Sequence, residues 1–490
     1  MSTVGTADQK TSSIPFPVSK ASEDARRFRD QFETAISAVE RLADMAAVTS
    51  AAVFSSFIYR FLHVGKQLHY SADTVVIGAL TFSLAFVLML DHDGAYRRSN
   101  SLLRIRETER ILRVSTQAFG VMFLISFLFL HPFSRWIVAL SIIFVPLTLI
   151  IEKQFMYSLI RYLHSLGYGL QNLLIYGAGY TGRLVFSAVV RSPKLGLNPV
   201  GIIDDDEALN GQEIFEHGYR RERSIPVIRG PMTSDMIRAH KASLVMIGIP
   251  SLSRQRLQEV AAEAFAAGAD VAFVPQLSFG LNSSTNYVDI DGVLVASLGQ
   301  PSPKQLYETT KRIFDFFAAL GLLIFTAPLW GILACYIRLD TDGPVFFRQT
   351  RVGHEGRPFE LYKFRSMRAD APKYDFHPIA GDDPRITPAG RFLRRTSLDE
   401  LPQLINVLKG DMSLVGPRPE MPFIVDRYSS RHRRRLEVVP GLTGLWQLSA
   451  DRSFLIHENI QYDLYYIRDR NFFMDLAILL HTAVFAMKGI

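Results

Sequence analysis

Asp399 and Glu400 are adjacent carboxylates, with Arg391, Arg394 and Arg395 before them and Arg418 after them. Pro402 suits the first position of a helix, where its missing N–H costs nothing, and Gly410 would end that helix after Lys409. The acid pair is therefore predicted at a helix entrance, where partial positive charge gathers. Adjacent residues do not share a helix face, so the two carboxylates are expected to do different work, such as nucleophile and metal ligand. Phosphate chemistry needs cations, oxygen donors for a magnesium ion and an aimed oxygen nucleophile. This stretch carries all three. The plain alternative is a helix start bearing solvated charge.

Further charged residues surround the pair in sequence. Lys363, Arg365 and Arg368 are spaced with apolar Phe364 and Met367, a pattern that fits a strand offering cations to phosphates or lipid headgroups, or a plain surface strand. Asp382 and Asp383 are read as capping a turn at Pro384 in preference to holding a metal. Arg431, Arg433, Arg434 and Arg435 form a cationic helix face suited to anionic headgroups. The apolar stretch 471–490, interrupted by Asp475 and His481, is expected to lie in a membrane interface.

These features sit in ordered blocks. Gly343-Pro344-Val345-Phe346-Phe347-Arg348-Gln349 and Val352-Gly353 precede Tyr362-Lys363-Phe364-Arg365-Ser366-Met367. Asp383-Pro384-Arg385-Ile386-Thr387, Gly390-Arg391-Phe392-Leu393-Arg394 and the acid pair follow. Gly416-Pro417-Arg418-Pro419 and Pro440-Gly441-Leu442-Thr443-Gly444 complete the set. This order resembles the bacterial sugar transferases that move a sugar 1-phosphate onto a polyprenyl phosphate. The long chain in front resembles the exopolysaccharide-initiating members of that family. The resemblance implies that Asp399 attacks a UDP-sugar and releases UMP, leaving an aspartyl phosphosugar that undecaprenyl phosphate then takes up. It implies that Glu400 holds Mg2+ and that Arg394, Arg418, Lys363 and Arg365 contact phosphate. It implies glucose or galactose 1-phosphate as the cargo, with glucose the expected one, in the first membrane step of exopolysaccharide or capsule synthesis. A homodimer is expected.

Those residues need elements to position them. The chain has 490 residues, 48% of them hydrophobic and gathered in runs, which points to a membrane protein. Lys and Arg number 54 against 47 Asp and Glu, a balance that suits an anionic membrane surface or anionic substrates and not a nucleic-acid binder. The single cysteine, Cys335, cannot form an internal disulfide. Residues 1–43 are read as a disordered segment followed by an amphipathic helix. Four apolar runs, at 45–62, 74–90, 118–130 and 136–151, predict a transmembrane bundle over 44–152. Arg26, Arg27 and Arg29 precede the first run, and Arg97, Arg98, Arg104, Arg106, Arg110 and Arg113 follow the second. Only Lys66 and Arg135 flank the opposite side, so the positive-inside rule places both ends of the bundle in the cytoplasm.

Residues 170–300 alternate strand and helix patterns. Gly177-Ala178-Gly179-Tyr180-Thr181-Gly182 follows a strand, and Asp204 ends the next one. An acid about 20 residues past such glycines can bind a ribose, so Gly177, Gly179, Gly182 and Asp204 are candidates for nucleotide binding. The alternative is a Rossmann-like scaffold whose glycines serve packing, with a role in regulation or dimer contacts. The last domain, 304–490, opens with the apolar segment 313–339, which carries basic residues on both flanks and Pro328 in its middle. A helix that enters the membrane, bends at Pro328 and returns keeps both flanks on one side. The resemblance implies the same re-entrant helix. The expected fold class is membrane α plus α/β: a four-helix transmembrane bundle, a Rossmann-like domain and a monotopic α/β catalytic domain on the cytoplasmic face of the bacterial inner membrane. Two rival readings follow from the residues. Tyr307 and Lys311 form a YxxxK pair that would serve an NAD-dependent nucleotide-sugar dehydratase or epimerase. A membrane scaffold that senses nucleotide without turnover is the other.

Overall fold

The computed structural model describes residues 20–63, 70–96, 104–128, 134–192, 195–217, 222–274, 284–290, 293–299, 304–371, 383–448 and 460–487. The expectation of disorder before Lys20, and those resting on Lys66, Arg97, Arg98 and Asp382, lie outside them. The chain divides into two compact units, residues 1–102 with 118–277, and residues 103–117 with 278–490.

The first unit begins with α1 (Lys20–Leu62), which joins the expected amphipathic helix and the first apolar run without interruption. The remaining runs lie in α2 (Ala72–His92), in the part of α3 (Arg104–Leu128) from Ala118 onward, and in α4 (Arg135–Ser165), with the end of the third run outside the described residues. α1 packs on α2 and α4. Asp44 of α1, fully buried, ties them: Lys153 Nζ of α4 lies 2.7 and 2.8 Å from its two oxygens, and the Tyr96 hydroxyl donates to it at 2.7 Å. A buried ion pair of this kind fixes register more than it adds stability.

A six-stranded sheet follows. It comprises β1 (Gln171–Tyr176), β2 (Leu197–Asp204), β3 (Glu213–His217), β4 (Glu222–Arg229), β5 (Leu244–Ile247) and β6 (Asp270–Phe273), in the order β3-β4-β2-β1-β5-β6. All neighbours are parallel except the edge strand β3. The sequence reading missed β3 and β4. The helices are α5 (Tyr180–Arg191), α6 (Ser234–Ala239) and α7 (Arg254–Ala266). β1 buries both faces, as a central parallel strand must. Leu174 and Tyr176 face Ile237, Val260 and Ala264, while Leu173 and Ile175 face Phe186 and Val189.

The glycines of this domain divide by reason. A Cβ on Gly182 would collide with the Gly177 carbonyl, and one on Gly248 would sit 2.7 Å from the Gly182 Cα, so both serve close backbone packing. A Cβ on Gly179 would meet nothing within 4 Å. Asp204 turns its carboxylate on its own loops, accepting from the Ala178 N–H at 2.6 Å and the Asp206 N–H at 2.8 Å.

The second unit contains a hairpin of β7 (Ser284–Ile290) and β8 (Val293–Gly299), which groups here and not with the sheet above. Next come α8 (Gln305–Asp340), the antiparallel pair β9 (Phe346–Val352) and β10 (Pro358–Phe364), and α9 (Pro388–Arg395). A tight 3-10 turn at Leu398–Glu400 leads to α10 (Gln403–Lys409) and β11 (Ser413–Val415). The unit ends with α11 (Pro422–Val425), α12 (Ser430–Arg433), β12 (Gly441–Thr443), α13 (Ile460–Asp469) and α14 (Phe472–Met487). One core gathers Ala319 of α8, Leu361 of β10, Leu404 and Val407 of α10, Leu414 of β11, and Met474 and Ile478 of α14. So α14 is packed along one face.

Among the described residues, four helical stretches are long and apolar enough to cross a membrane: Arg27–Leu62, α2, Trp136–Ser165 and α8. The described part of α3 is not one of them. α8 runs unbroken through Pro328, so the expected break is at most a bend. Near the proline, the Thr326 hydroxyl donates to the Leu322 carbonyl at 2.7 Å and accepts from the Trp330 indole N–H at 3.2 Å. Back-bonding of this type bends helices. Both ends of α8 are tied to the same unit. Lys304 donates to the Arg468 and Arg470 carbonyls, and Arg312 to those of Val407 and Leu408. At the far end Leu333 and Ile337 pack on Phe364 and Leu393, and Asp340 accepts from the Ala389 N–H.

Behind the loop after β11 lies a buried ion cluster. Arg435 donates to Asp463 at 2.7 Å, to the Tyr428 hydroxyl, and to the Arg418 carbonyl at 3.0 Å, with Glu420 3.8 Å away. Arg435 and Asp463 are each 3% exposed, so Arg435 does not belong to the lipid-facing cationic face expected of residues 431–435. Two stability predictions follow from this architecture. Gly182→Ala lowers the thermal midpoint of the purified protein and Gly179→Ala leaves it unchanged. Asp463→Asn strands a buried guanidinium and costs about 3–5 kcal/mol, while the apolar pair Arg435→Met with Asp463→Leu recovers most of that loss. Unfolding curves of the four variants check both.

Candidate active site

The acid pair is set by what precedes it. Thr387 caps α9, its hydroxyl accepting from the Gly390 N–H at 3.0 Å, and Pro388 occupies the first turn. α9 lies against the backbone of Ser366, too close for any Cβ at Gly390. The chain then reverses at Ser397, which holds a left-handed φ of 55°, strained for a residue with a side chain. Asp399 and Glu400 follow in the 3-10 turn, and Gly410 closes α10 with φ 93°, as the sequence predicts.

The two carboxylates meet different surroundings. Glu400 Oε1 accepts from Lys363 Nζ of β10 at 2.8 Å and from Arg418 Nη2 at 2.9 Å. Burial would raise its pKa, but Arg418 and Lys363 outweigh burial and hold the carboxyl below the usual range. Asp399 is 7% exposed, and its carboxylate accepts no hydrogen bond among the described residues. Burial raises its pKa, and Glu400 adds to the rise, against the pull of Lys363, Arg394 and Arg418. Arg394 reaches the site with its Nε on the Ser366 hydroxyl at 3.0 Å. A bare, desolvated carboxylate thus stands beside a clamped one, with three cations around them.

The clamp depends on residues the sequence reading did not single out. Asn406, fully buried in α10, accepts from the Tyr362 N–H at 3.1 Å and donates to the Glu360 carbonyl at 2.6 Å, locking α10 to the strand that carries Lys363. Its only sequence signal is a polar residue inside an apolar helix. Arg418 is held by the crossing of two motif loops. A Cβ on Gly416 would lie 2.6 Å from the Val439 carbonyl, and one on Gly441 would collide with the Gly416 N–H. The Gly416 N–H donates to Thr443 and the Gly441 N–H to Pro417, both at 2.9 Å. Arg435 fixes the Arg418 carbonyl from behind.

Other expected site residues stand elsewhere. Arg365 is buried, and its guanidinium donates to the carbonyls of Thr341 and Asp342 at 2.7 and 2.6 Å. It caps the carboxyl end of α8, where orphan carbonyls favour a cation, and none of its described contacts reaches the acid pair. Asp383 makes the turn, accepting from the Arg385 N–H at 2.8 Å and from the Arg385 guanidinium. Tyr307 and Lys311 are both engaged by buried Asp475, at 2.7 and 2.8 Å, and Tyr466 holds the other oxygen of that carboxylate at 2.8 Å. The YxxxK pair therefore anchors α8 to α14. Gly177, Gly179, Gly182 and Asp204 belong to the first unit.

Residues 306–489 match the family model described as bacterial sugar transferase, and residues 92–275 match one described as a CoA-binding domain. A UDP-glucose:undecaprenyl-phosphate glucose-1-phosphate transferase of Klebsiella pneumoniae is 28% identical over 474 residues, 93% of this chain and 96% of its own. A protein of the same name from Caulobacter vibrioides is 43% identical over 194 residues, 38% of this chain and 72% of its own. A Bacillus subtilis sugar transferase is 42% identical over 182 residues, 37% of this chain and 89% of its own. Residues 306–489 contain the acid pair, the Arg418 loop and the elements that clamp them, and with the identity to these relatives the chain belongs to the bacterial sugar transferase family.

Proposed function

We propose that the protein transfers a hexose 1-phosphate, with glucose 1-phosphate as the expected cargo, from a UDP-sugar to undecaprenyl phosphate. The observation that carries this reading is the contrast within the acid pair: Glu400 is clamped by Lys363 and Arg418, and Asp399 is buried with neither oxygen in a hydrogen bond among the described residues. A carboxylate stripped of hydrogen bonds and water is a stronger nucleophile than a solvated one. In the first step an Asp399 oxygen forms a bond to the sugar-bearing phosphorus, and the bond from that phosphorus to the UMP oxygen breaks. UMP leaves with the electron pair. In the second step an oxygen of the polyprenyl phosphate forms a bond to the same phosphorus, the bond to Asp399 breaks, and a lipid diphosphosugar departs. Arg394 and Arg418 are placed to receive phosphate oxygens in both steps, as planar guanidinium groups suit them. Relatives named for glucose transfer support the choice of sugar.

Magnesium fits this donor set. Mg2+ is bound through one or two carboxylates with substrate phosphates completing its sphere. Among the described residues no group of three or more His, Cys, Asp or Glu side chains gathers as a protein cage, while Glu400 Oε2 accepts no hydrogen bond. Glu400 would hold the ion, which when bound neutralises diphosphate charge.

The proposal extends to the membrane. α8 enters the bilayer and returns, supported by the attachment of both its ends to one unit and by its large apolar residues left outside the core. The catalytic unit then stands on the cytoplasmic face of the inner membrane, and a homodimer remains the expected assembly.

Two measurements test the chemistry. Asp399→Asn abolishes UMP release from UDP-glucose in the presence of magnesium and undecaprenyl phosphate. Wild-type turnover by that variant removes Asp399 from the reaction. Asp399 must be ionised to attack, and its pKa is raised. The single-turnover rate therefore falls with falling pH along a limb above the ordinary carboxylate value of about 4. Lys363→Met removes a cation that lowers that pKa and moves the limb to still higher pH. A limb that stays in place in Lys363→Met contradicts the assignment.

A further inference from the structure

α9 presents three faces, and two of them have been accounted for. Ala389, Gly390 and Leu393 are buried in the core, and Arg394 turns to the acid pair. The third face carries Arg391, Phe392 and Arg395, all exposed. Phe392 is 46% exposed and stands edge-on to Tyr336 of α8, with ring centroids 6.2 Å apart. Tyr336 is 42% exposed, Leu339 one turn on is 87% exposed, and Arg338 between them is exposed too. Arg338, Arg391 and Arg395 make no ion pair among the described residues. Large apolar side chains and unpaired cations are thus set side by side at the carboxyl end of a membrane-length helix. The chain passes directly from this face, through the turn at Ser397, to Asp399.

We infer that this α8–α9 patch seats the acceptor lipid. Its isoprenoid chain lies along Tyr336, Leu339 and Phe392, and its phosphate is drawn by Arg338, Arg391 and Arg395 to the side of α9 from which Arg394 reaches the acid pair. The inference rests on the proposed transfer reaction and adds to it the site and chemistry of acceptor recognition. Three features select an anionic isoprenoid over the bilayer at large. The patch pairs an exposed aromatic with cations on the same helix, it continues the exposed apolar surface of α8, and α9 leads within four residues of Arg395 to the carboxylate from which the lipid phosphate must take the phosphosugar. Bulk headgroups would satisfy the first two features and gain nothing from the third.

The test uses the full chain in vesicles of neutral lipid, with UDP-glucose as donor. UMP released before acceptor is added reports the first half-reaction alone and serves as the internal control. Product formed against undecaprenyl phosphate concentration reports the second. In Phe392→Ala and in Arg391→Gln with Arg395→Gln, the burst is kept and the KM for undecaprenyl phosphate rises at least about tenfold with kcat little changed. With geranyl phosphate, too short to use the apolar contact, the Phe392→Ala penalty disappears. An unchanged KM with weaker vesicle binding makes the patch a bilayer contact and overturns the inference. Loss of the burst in the variants makes it part of the catalytic fold and overturns it as well. A wild-type chain that gives no burst with any UDP-sugar overturns the transfer reading, and the acceptor site falls with it.

Discussion

The Glu400 carboxylate is the joint on which the site depends. One oxygen accepts from a lysine on β10 and an arginine on the loop after β11, so it pins two separate parts of the unit to the turn that carries Asp399. An acid and two cations in a half-buried place are worth more than the same groups in water, because each desolvated charge has its counterpart within hydrogen-bond distance. The clamp also decides the state of its neighbour. With Lys363 and Arg418 committed to Glu400, Asp399 receives their field without their hydrogen bonds. Two adjacent residues of nearly identical chemistry are thereby pushed apart in acidity, the usual sign that they serve different ends.

That clamp is only as rigid as the backbones behind it. Lys363 stays in place because Asn406 bonds two backbone groups on one edge of β10 to α10. Arg418 stays in place because its loop crosses the Pro440–Gly444 loop with no room for side chains, and because Arg435 grips its carbonyl. Arg435 is in turn neutralised by Asp463, and this places a buried ion pair behind a half-buried one. A buried guanidinium without its carboxylate is costly, so the cluster is intolerant of partial change, and a loop held by such a cluster has few alternatives.

The sequence made the local features legible. The helix entrance at the acid pair, the glycine stop at 410, the turn at Asp383 and the strands β1 and β2 depend on neighbours a few residues apart, and they stand where the pattern places them. What escaped depends on distant partners. Arg365 and Lys363 share one face of an extended stretch, yet one caps a helix and the other meets Glu400, and alternation cannot say where along a hairpin a helix end will fall. Arg435 looked like its basic neighbours until Asp463 was brought to it. Asp475 registered only as an interruption of an apolar run, although a buried acid there requires a cation, and Lys311 supplies it from 164 residues away. The edge strand β3 and its neighbour β4 were missed because their charged residues interrupt the apolar run that marks β1.

The placement of α8 follows from length and attachment together. Its 36 residues reach about 54 Å if straight, well beyond the roughly 30 Å core of a bilayer. A straight crossing would deliver its two ends to opposite faces. Yet Lys304 and Arg312 near one end and Asp340 at the other are bonded to the same compact unit, which cannot stand on both sides at once. The proposed re-entry would need α8 to bend, and its sequence carries the devices for a bend. Pro328 removes one backbone donor, and the Thr326 hydroxyl crowds the Leu322 carbonyl while it is held in turn by the Trp330 indole. Trp330 stands edge-on to Phe364, the residue next to Lys363. The segment after Pro328 is therefore packed against the strand that carries the clamp. In the proposed reaction, where Asp399 meets a soluble donor and then a lipid acceptor, that connection would set the height of the carboxylate above the membrane.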